Sequence, residues 1–339
     1  MKRKALAVVL TAALAAASLA GCSSKPAETK APETEAAAAA GAEAAGTETE
    51  TKAEEAKADT GAKKKIYLIT MDQMDQHWVN VDKGAQKAVA ELGNVEYQWM
   101  APDVKDDAKQ IECVNNAIAG GAEAILIAAN GPDAITASLK EAEAEGIKII
   151  YVDSPANFEA VATLATDNKA AGKTAGETLI AALKEKEVTS GKIGIIGVNA
   201  STDSTVKREE GFRSAFEGTE FELLETQYSD GDAAKGKDIG ANYITQGCVG
   251  LFGTNEGSTV GAGNAIQEAG GEVLAVGFDK SDMILQLIKN GYLVATMAQN
   301  PDVMGYEGIK TAVDALDGKE PAEKNVDTGV SVLDKTTVQ

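Results

Sequence analysis

Residues 124–153 read AILIAANGPDAITASLKEAEAEGIKIIYVD and contain one full unit of the pattern from which the fold class follows. Its two ends, Ala124–Ala129 and Ile147–Val152, are almost continuous in apolar residues, which is typical of strands buried on both faces of a parallel sheet. Between them, three apolar residues recur at the spacing of one helical face: Ile135, Leu139 and Ala142. The stretch therefore predicts two parallel strands joined by a helix.

The same pattern is repeated along the chain. Five further apolar runs predict buried strands: Ile66–Ile69, Ile193–Val198, Val249–Gly253, Val273–Phe278 and Leu293–Met297. Val95–Trp99 alternates apolar and polar residues instead, which is typical of a strand with one exposed face. Helical patterns lie between the runs, for example over residues 81–92 and 309–316. This alternation indicates the α/β class, and the 274 residues of 66–339 suffice for two doubly wound parallel sheets.

The composition excludes several classes of partner and cofactor. The chain has 32 Lys and Arg against 52 Asp and Glu, a formal net charge of −20. An acidic surface repels phosphate backbones, because their binding depends on Lys and Arg, so we expect no nucleic-acid partner. Three cysteines without a C-x-x-C pair, and one histidine, indicate neither a disulfide framework nor a metal site. The sequence therefore predicts no cofactor and no metal.

The N-terminus predicts export from the cytoplasm. A basic Lys2-Arg3-Lys4 precedes the apolar run Ala5–Ala20, whose 16 residues are fewer than the ~20 that a membrane-spanning helix needs. Residues 19–22, Leu-Ala-Gly-Cys, resemble the lipobox of bacterial lipoproteins, which implies a signal peptide over 1–21 and a lipid on Cys22. An ordinary cleaved signal with a chance cysteine is the alternative. Residues 22–65 contain no large apolar side chain, which predicts a disordered tether between the lipid and the folded part.

Polar residues follow the apolar runs at equivalent places. They are Asp72, Asn130, Asp153, Asn199, Asn255, Asp279 and Gln299. Ligands of open α/β sheets bind outside the carboxyl ends of the strands, so the set predicts a recognition site for a neutral, hydroxyl-rich molecule. Taken singly, each Asp or Asn has an alternative role as a helix cap or turn residue. Asp133, in the turn Asn130-Gly-Pro-Asp133, is predicted to be such a cap.

Five motifs occur in the order found in one family. They are residues 75–87 (DQHWVNVDKGAQK), 165–172 (ATDNKAAG), 208–212 (REEGF), 276–279 (VGFD) and 295–299 (ATMAQ). They resemble bacterial ribose-binding proteins, which are sugar receptors of the periplasmic binding protein type 1 class that serve an ABC importer. The resemblance implies two doubly wound domains joined by three crossings, with the ligand in the cleft between them. The first lobe would comprise 66–166 and 300–325, and the second 167–299 and 326–339.

The resemblance also implies a set of ligand-binding residues. They are Asp75, His77, Trp78, Asp153, Asn168, Arg208, Asn255, Asp279 and Gln299. Weaker candidates are Asp72, Asn130 and Ser154. In this set, Asp153 and Asp279 would accept hydrogen bonds from sugar hydroxyls and Arg208 would donate them, while Trp78 would offer its face to the C–H side of a sugar ring.

Four positions that correspond to the family's ligand site depart from the family pattern. Ser154 replaces an Arg, Gly231 replaces an aromatic residue, His77 replaces another aromatic residue, and Asp75 replaces an amide. We therefore expect a site that is less cationic and lacks one stacking wall. Space beside Gly231 favours a monosaccharide that is larger than ribose or differently substituted, or a polyol.

Three other functions are alternatives to a sugar receptor. Asp75, Asp153 and Asp279 could act as the acid and base of a glycosidase, but nothing in the sequence sets the separation that this chemistry requires. A sugar-responsive repressor needs a basic DNA-binding segment where this chain has its signal and tether. A receptor that reports its ligand to a membrane sensor stays open. We expect a monomeric binding protein, attached to the outer face of the membrane only by its lipid, that delivers a sugar or polyol to an ABC permease and its ATPase.

Overall fold

The computed structural model describes residues 63–338. The predicted signal peptide and Cys22 lie outside the described residues, as does the predicted tether up to residue 62. The folded part begins earlier than predicted, because Lys64 and Lys65 already belong to the first strand. Their backbones pair with Val95 and Glu96 of a neighbouring strand, although their charged side chains gave no strand signal.

Strands and helices alternate along the described chain. In order they are β1 (Lys64–Ile69), α1 (Gln76–Leu92), β2 (Val95–Met100), α2 (Asp107–Ala119), β3 (Ala124–Ile127), α3 (Pro132–Ala144), β4 (Lys148–Val152), β5 (Ala162–Ala165), α4 (Asn168–Glu185), β6 (Ser190–Gly197), α5 (Asp203–Ala215), β7 (Glu220–Leu223), β8 (Gln227–Tyr228), α6 (Ala233–Thr245), β9 (Cys248–Gly253), α7 (Glu256–Glu268), β10 (Leu274–Phe278), α8 (Asp282–Lys289), β11 (Ala295–Gln299), α9 (Pro301–Leu316), β12 (Asn325–Asp327) and β13 (Val330–Asp334). Every strand predicted from an apolar run is present, and the prediction of an α/β class is confirmed.

The strands form two sheets. The first has the order β12-β5-β4-β3-β1-β2 and is parallel throughout. The second has the order β13-β11-β10-β9-β6-β7, with β8 also paired to β6. Its strands are parallel except β13, which runs antiparallel to β11. Only two residues separate β12 from β13, and these strands belong to different sheets, so β13 enters its sheet without a crossover helix.

Each sheet is covered on both faces. In β1, Ile66 and Leu68 pack on the side of α1 and α9, while Tyr67 and Ile69 pack on the side of α2 and α3. This alternation is the two-residue period of a strand that is buried on both faces, and it explains why the apolar runs are continuous. The second sheet has the same arrangement, with separate apolar clusters on its two faces.

The described chain passes between the two sheets at three places. The first is between β5 and α4, the second is between β11 and α9, and the third is between β12 and β13. The last crossing lies after Asp327, because Val326 and Asp327 still pair with β5 of the first sheet. The predicted boundary at 325/326 is therefore two residues too early.

Two glycines bring α4 and α5 into close contact beneath the cleft. A Cβ atom on Gly172 would lie 2.0 Å from the backbone oxygen of Arg208, and one on Gly211 would lie 2.0 Å from that of Lys169. Only residues without a Cβ allow the two backbones to approach this closely. The contact places the first residue of α4, Asn168, beside the side chain of Arg208 on α5.

Candidate ligand-binding cleft

A small polar cavity lies between the two lobes. It is lined by Met71, Asp75, His77, Trp78, Lys105 and Asp153 from the first lobe, and by Val198, Ser204, Thr205, Arg208, Asn255, Asp279 and Gln299 from the second. Its volume of about 20 Å³ corresponds to roughly one water molecule. A sugar ring is much larger, so it fits here only if the lobes or these side chains move apart.

The structure brings most of the predicted residues together. Eight of the nine main candidates line the cavity, and the ninth, Asn168, accepts a hydrogen bond from Nε of Arg208 at 2.7 Å. Of the weaker candidates, Asp72 contacts the cavity residue Lys105, while Asn130 and Ser154 lie outside the cavity lining. These positions are structural findings, and the role of each residue in binding stays a prediction.

Two acidic residues occupy equivalent places in the two lobes. Asp153 follows β4 and Asp279 follows β10, and both have the left-handed backbone conformation, with φ of 64° and 75°. Asp and Asn tolerate this conformation better than most residues, because their short polar side chains can bond locally. The side chain of Asp279 does not cap α8, because Ser281 is the N-cap of this helix and accepts from the N–H of Ile284 at 3.4 Å. The alternative reading of Asp279 as a helix cap is therefore wrong.

The other strand-end residues have mixed roles. Asn255 does cap its helix, because Oδ1 accepts from the N–H of Ser258 at 3.1 Å, but Nδ2 also donates across the cleft to Asp75 at 3.3 Å. Asn199 holds a local turn by accepting from the N–H groups of Ser201 and Thr202. The predicted cap Asp133 is not one: Gly131 occupies the N-cap position of α3, because Pro132 begins the helix.

His77 lies between the two equivalent acids. Its Nε2 is 3.1 Å from Oδ2 of Asp153, and its Nδ1 is 3.6 Å from Oδ1 of Asp279. Burial alone would lower the pKa of His77, but the two carboxylates outweigh burial and raise it. Burial likewise opposes ionisation of Asp153, yet His77 and Arg208 lower its pKa to about 2. Asp153 therefore keeps its negative charge, and His77 beside it favours its positively charged form.

Arg208 is fixed from three sides. Its Nε donates to Asn168, its Nη1 donates to the backbone oxygen of Thr254 at 3.0 Å, and its guanidinium lies 4.4 Å from the ring centre of Phe278. The remaining nitrogen, Nη2, is 3.6 Å from Oδ2 of Asp153. Because the other contacts hold the fork rigidly, Nη2 is presented to the cavity in a defined direction.

Three cavity residues have buried polar atoms without a hydrogen-bond partner among residues 63–338. These atoms are Nε1 of Trp78, Nη2 of Arg208 and Oε1 of Gln299, whereas Nε2 of His77 faces Oδ2 of Asp153 at 3.1 Å. A buried polar group without a partner costs roughly 1–3 kcal/mol, so native proteins rarely leave several of them in one place. The group contains donors and an acceptor from both lobes, which suits a ligand whose own groups both donate and accept.

Sequence reasoning missed Lys105. Its side chain is 6% exposed, and its Nζ bonds to Asp72 and, at 2.9 Å, to Asp75. A Cβ atom on Gly231 would lie 2.7 Å from this Nζ, so Lys105 lies directly beside Gly231. Lys105 adds a cation to this side of the site, but a cavity of about 600 Å³ still borders Gly231 and Lys105, so the less cationic site and the room beside Gly231 stay predictions. One signal could have found this residue, since Lys105 follows β2 at the same edge of the sheet as the predicted residues.

Glu256 was also missed. It begins α7 in the second lobe, and its carboxylate accepts hydrogen bonds from the backbone N–H groups of Gln76 and His77 in the first lobe, both at 3.1 Å. Burial, and next the charge of Asp75, raise its pKa to about 7. Its predecessor Asn255 was predicted, but nothing in the sequence indicated that the next side chain reaches across the cleft.

No group of three His, Cys, Asp or Glu in residues 63–338 is arranged to hold a metal ion. Cys113 and Cys248 form no disulfide in this part of the chain, and Cys248 is buried. Over the same residues, every helix is too short or too polar to cross a bilayer.

A two-lobed α/β protein with a buried polar cavity between its lobes belongs to the class of cleft-binding proteins. More specifically, this chain belongs to the periplasmic binding protein family, because the family's domain model matches residues 66–320. It is similar to the ribose import binding protein of Haemophilus influenzae, with 30% identity over 81% of this chain and 93% of that protein. The family resemblance predicted from the sequence motifs is confirmed.

Solved structures show the same relationship. A carbohydrate transporter solute binding protein from Agrobacterium radiobacter, in complex with D-arabinose, superposes with a TM-score of 0.78 and 32% identity. The match covers 81% of this chain and 95% of that one. An ABC transporter solute binding protein from Agrobacterium vitis with bound D-fucose has a TM-score of 0.76 and 30% identity, over 81% and 96% of the two chains.

Proposed function

We propose that this protein captures a monosaccharide or a similar polyol in its cleft and delivers it to an ABC importer. The observation that carries the proposal is the set of unpartnered buried donors and acceptors that both lobes direct toward one cavity. Hydroxyl groups donate and accept at once, so a polyhydroxy ligand can satisfy the whole set. The related proteins named above are import binding proteins, and two of their structures contain sugars.

The charges of the cleft support a ligand that is not an anion. Asp75, Asp153 and Asp279 line the cavity, and the cations Lys105 and Arg208 each already face a carboxylate. A sugar phosphate or a sugar acid would add negative charge to carboxylates that are nearly dry, which is unfavourable at short range. Neutral sugars avoid this cost, so they are the preferred class.

Capture requires the lobes to move. We propose that 66–166 with 300–327 moves as one lobe and 167–299 with 328–339 as the other, about the three crossings. A cavity that holds about one water in the closed form must open to admit a sugar, and polar groups on both sides then draw the lobes together around it. The ligand is bound and released unchanged in this scheme, without catalysis.

The location of the protein is part of the proposal. We propose a signal peptide over residues 1–21, a lipid on Cys22 and a tether to residue 63, which would hold a monomeric receptor on the outer face of the membrane. Membership of the periplasmic binding protein family supports an extracytoplasmic position. An anchored receptor would meet external solutes while staying close to the permease and its ATPase.

The proposal is tested by calorimetric titration of the purified folded domain with neutral monosaccharides, polyols and sugar phosphates. We expect one neutral sugar or polyol to bind at a single site, sugar phosphates to fail, and small-angle scattering to show a smaller radius of gyration with the bound sugar. Recovery of the sugar unchanged after incubation would separate binding from catalysis. Failure of every neutral sugar and polyol, or binding without compaction, would contradict the proposal.

A further inference from the structure

Helices that border the cleft have N-terminal N–H groups that are satisfied from the opposite lobe. The first few N–H groups of any helix lack partners inside the helix, and a side chain at the N-cap commonly accepts from one of them. Within residues 63–338, the N-cap residues of α1 and α5, Asp75 and Thr202, form no such side-chain hydrogen bond. Acceptors from the other lobe replace them.

The first of these acceptors is Glu256. It accepts from the first two N–H groups of α1, those of Gln76 and His77, through its two carboxylate oxygens. A carboxylate is well suited to this place, because the N-terminus of a helix carries partial positive charge. Glu256 belongs to α7 of the second lobe, whereas α1 belongs to the first, so the bonds exist only while the cleft is closed.

The same arrangement occurs in the reverse direction. Ser154, which follows β4 in the first lobe, accepts through Oγ from the N–H of Ser204, the second residue of α5 in the second lobe, at 3.3 Å. Gln76 accepts through Oε1 from the N–H of Asp282, the first residue of α8, at 3.1 Å. Three helix N-termini are therefore capped across the cleft, two by the first lobe and one by the second.

We propose that Glu256, Gln76 and Ser154 are positioning residues that stabilise the closed cleft by capping helices of the opposite lobe. This inference rests on the proposed function, because closure is the step by which that function retains its ligand. None of the three is among the described residues that line the cavity. Glu256 and Ser154 act through the helices that they cap, since α1 carries His77 and Trp78 and α5 carries Arg208. Gln76 caps α8, which begins three residues after Asp279.

The consequence is a direct coupling between closure and the geometry of the site. When the lobes part, each capped N–H must find water instead, and the starts of α1, α5 and α8 lose their fixed acceptors. When the lobes close, the caps of α1 and α5 restrain helices that carry proposed ligand-binding side chains. Ligand affinity therefore includes the strength of bonds that the ligand does not make itself.

Amide hydrogen exchange tests the caps in the protein saturated with a bound sugar, because the caps form only when the lobes are closed. In Glu256→Ala, we expect the amides of Gln76 and His77, in the opposite lobe, to exchange roughly two- to tenfold faster, as loss of about one net hydrogen bond predicts. In Ser154→Ala, the same change should appear at Ser204. Glu268→Ala is the matched control, because Glu268 is exposed at the other end of α7 and should leave α1 unchanged. Unchanged exchange at α1 and α5 in the cap variants would overturn the proposal.

Affinity provides the second test, with D-ribose, D-arabinose and D-fucose as probes. Gln76→Ala and Ser154→Ala change no charge, so each should weaken binding of a sugar that binds the wild type by roughly two- to tenfold. The double variant should show about the product of the two effects, because the sites share no partner. Affinity of the double variant within twofold of wild type would overturn the positioning role. A wild type that binds none of the sugars would contradict the sugar proposal, whereas sugar binding with unchanged exchange and affinity in the cap variants would contradict the caps alone.

Discussion

Replacing Asp279 by Asn tests the proposed ligand site most directly. Asp279 is buried, its Oδ1 accepts from Nε2 of Gln299 at 2.6 Å, and Nδ1 of His77 lies 3.6 Å away. The replacement keeps the size of the side chain, and Asn tolerates the φ of 75° as well as Asp does, so no backbone strain is added. Helix α8 also keeps its start, because Ser281 is its cap.

The expected loss follows from the chemistry of one carboxylate. A hydrogen bond to a charged group is worth ~1.5–3 kcal/mol, and Asn replaces one accepting oxygen by an NH₂ group that faces a donor. We therefore expect sugar affinity to fall by roughly ten- to a hundredfold, while the melting temperature of the protein without sugar changes little. Calorimetric titration and thermal unfolding measure the two quantities.

The matched control for this variant is Asp282→Asn. Asp282 lies in the first turn of the same helix, is exposed, and is not among the described residues around the cavity. It should therefore leave both affinity and stability unchanged. If Asp279→Asn binds sugar as tightly as the wild type, the reasoning that places Asp279 in the site is refuted. A large drop in stability without sugar would instead assign Asp279 a structural role.

Three further predictions follow from the structure. First, the pKa of Glu256 is about 7 in the closed form against an ordinary 4.5, and the pKa of His77 is also raised, so closure takes up protons. Sugar affinity should therefore rise as pH falls through 7, and the binding enthalpy should depend on the buffer, less so in Glu256→Gln. A wild-type binding enthalpy that is the same in all buffers would contradict this prediction. Second, Gly172→Ala should lower the free energy of unfolding by about 1–3 kcal/mol and weaken sugar binding, because its Cβ would meet the backbone of Arg208; normal unfolding and binding would contradict the close packing. Third, Cys22→Ala should release the protein from the membrane fraction and leave sugar affinity of the purified domain unchanged; a variant still fractionating as lipidated would exclude the lipid anchor.

The parts of the fold that the sequence predicted are those decided by local pattern. Ile147–Val152 is continuous in apolar residues because β4 is buried on both faces, and such a run is visible without knowledge of its neighbours. The short strands β8 (Gln227–Tyr228) and β12 (Asn325–Asp327) were not predicted, because each is two or three residues long and mixed in polarity. They are strands only because a partner strand lies beside them, which is a non-local fact.

The residues of the site likewise divide into those predictable from local pattern and those that depend on contacts distant in sequence. Asp153 and Asp279 could be predicted, because a polar residue directly after a buried strand lies at the carboxyl edge of a parallel sheet. Lys105 could have been found by the same signal, because it follows β2 at that edge, and its Nζ bonds to Asp72 and Asp75 of its own lobe. Glu256 could not, because its role depends on the start of α1, which belongs to the opposite lobe. Contacts between lobes leave no periodic trace in the sequence.

Sugar affinity in this cleft is the difference between the hydrogen bonds that the sugar makes with the protein and those that the site residues make with one another without it. In the structure the site residues bind one another: Gln299 donates to Asp279 at 2.6 Å, and Asn255 donates to Asp75 at 3.3 Å. A sugar must replace such pairs with bonds at least as good, and it gains most where the protein leaves atoms unpartnered, as at Nη2 of Arg208 among the described residues. A ligand that lacks the hydroxyl for that atom would leave it buried without a hydrogen bond, at a cost of roughly 1–3 kcal/mol. Discrimination between sugars therefore depends on whether their hydroxyls match the unpartnered atoms of both lobes at once. The hydrogen bonds that the protein can form by itself favour no particular sugar.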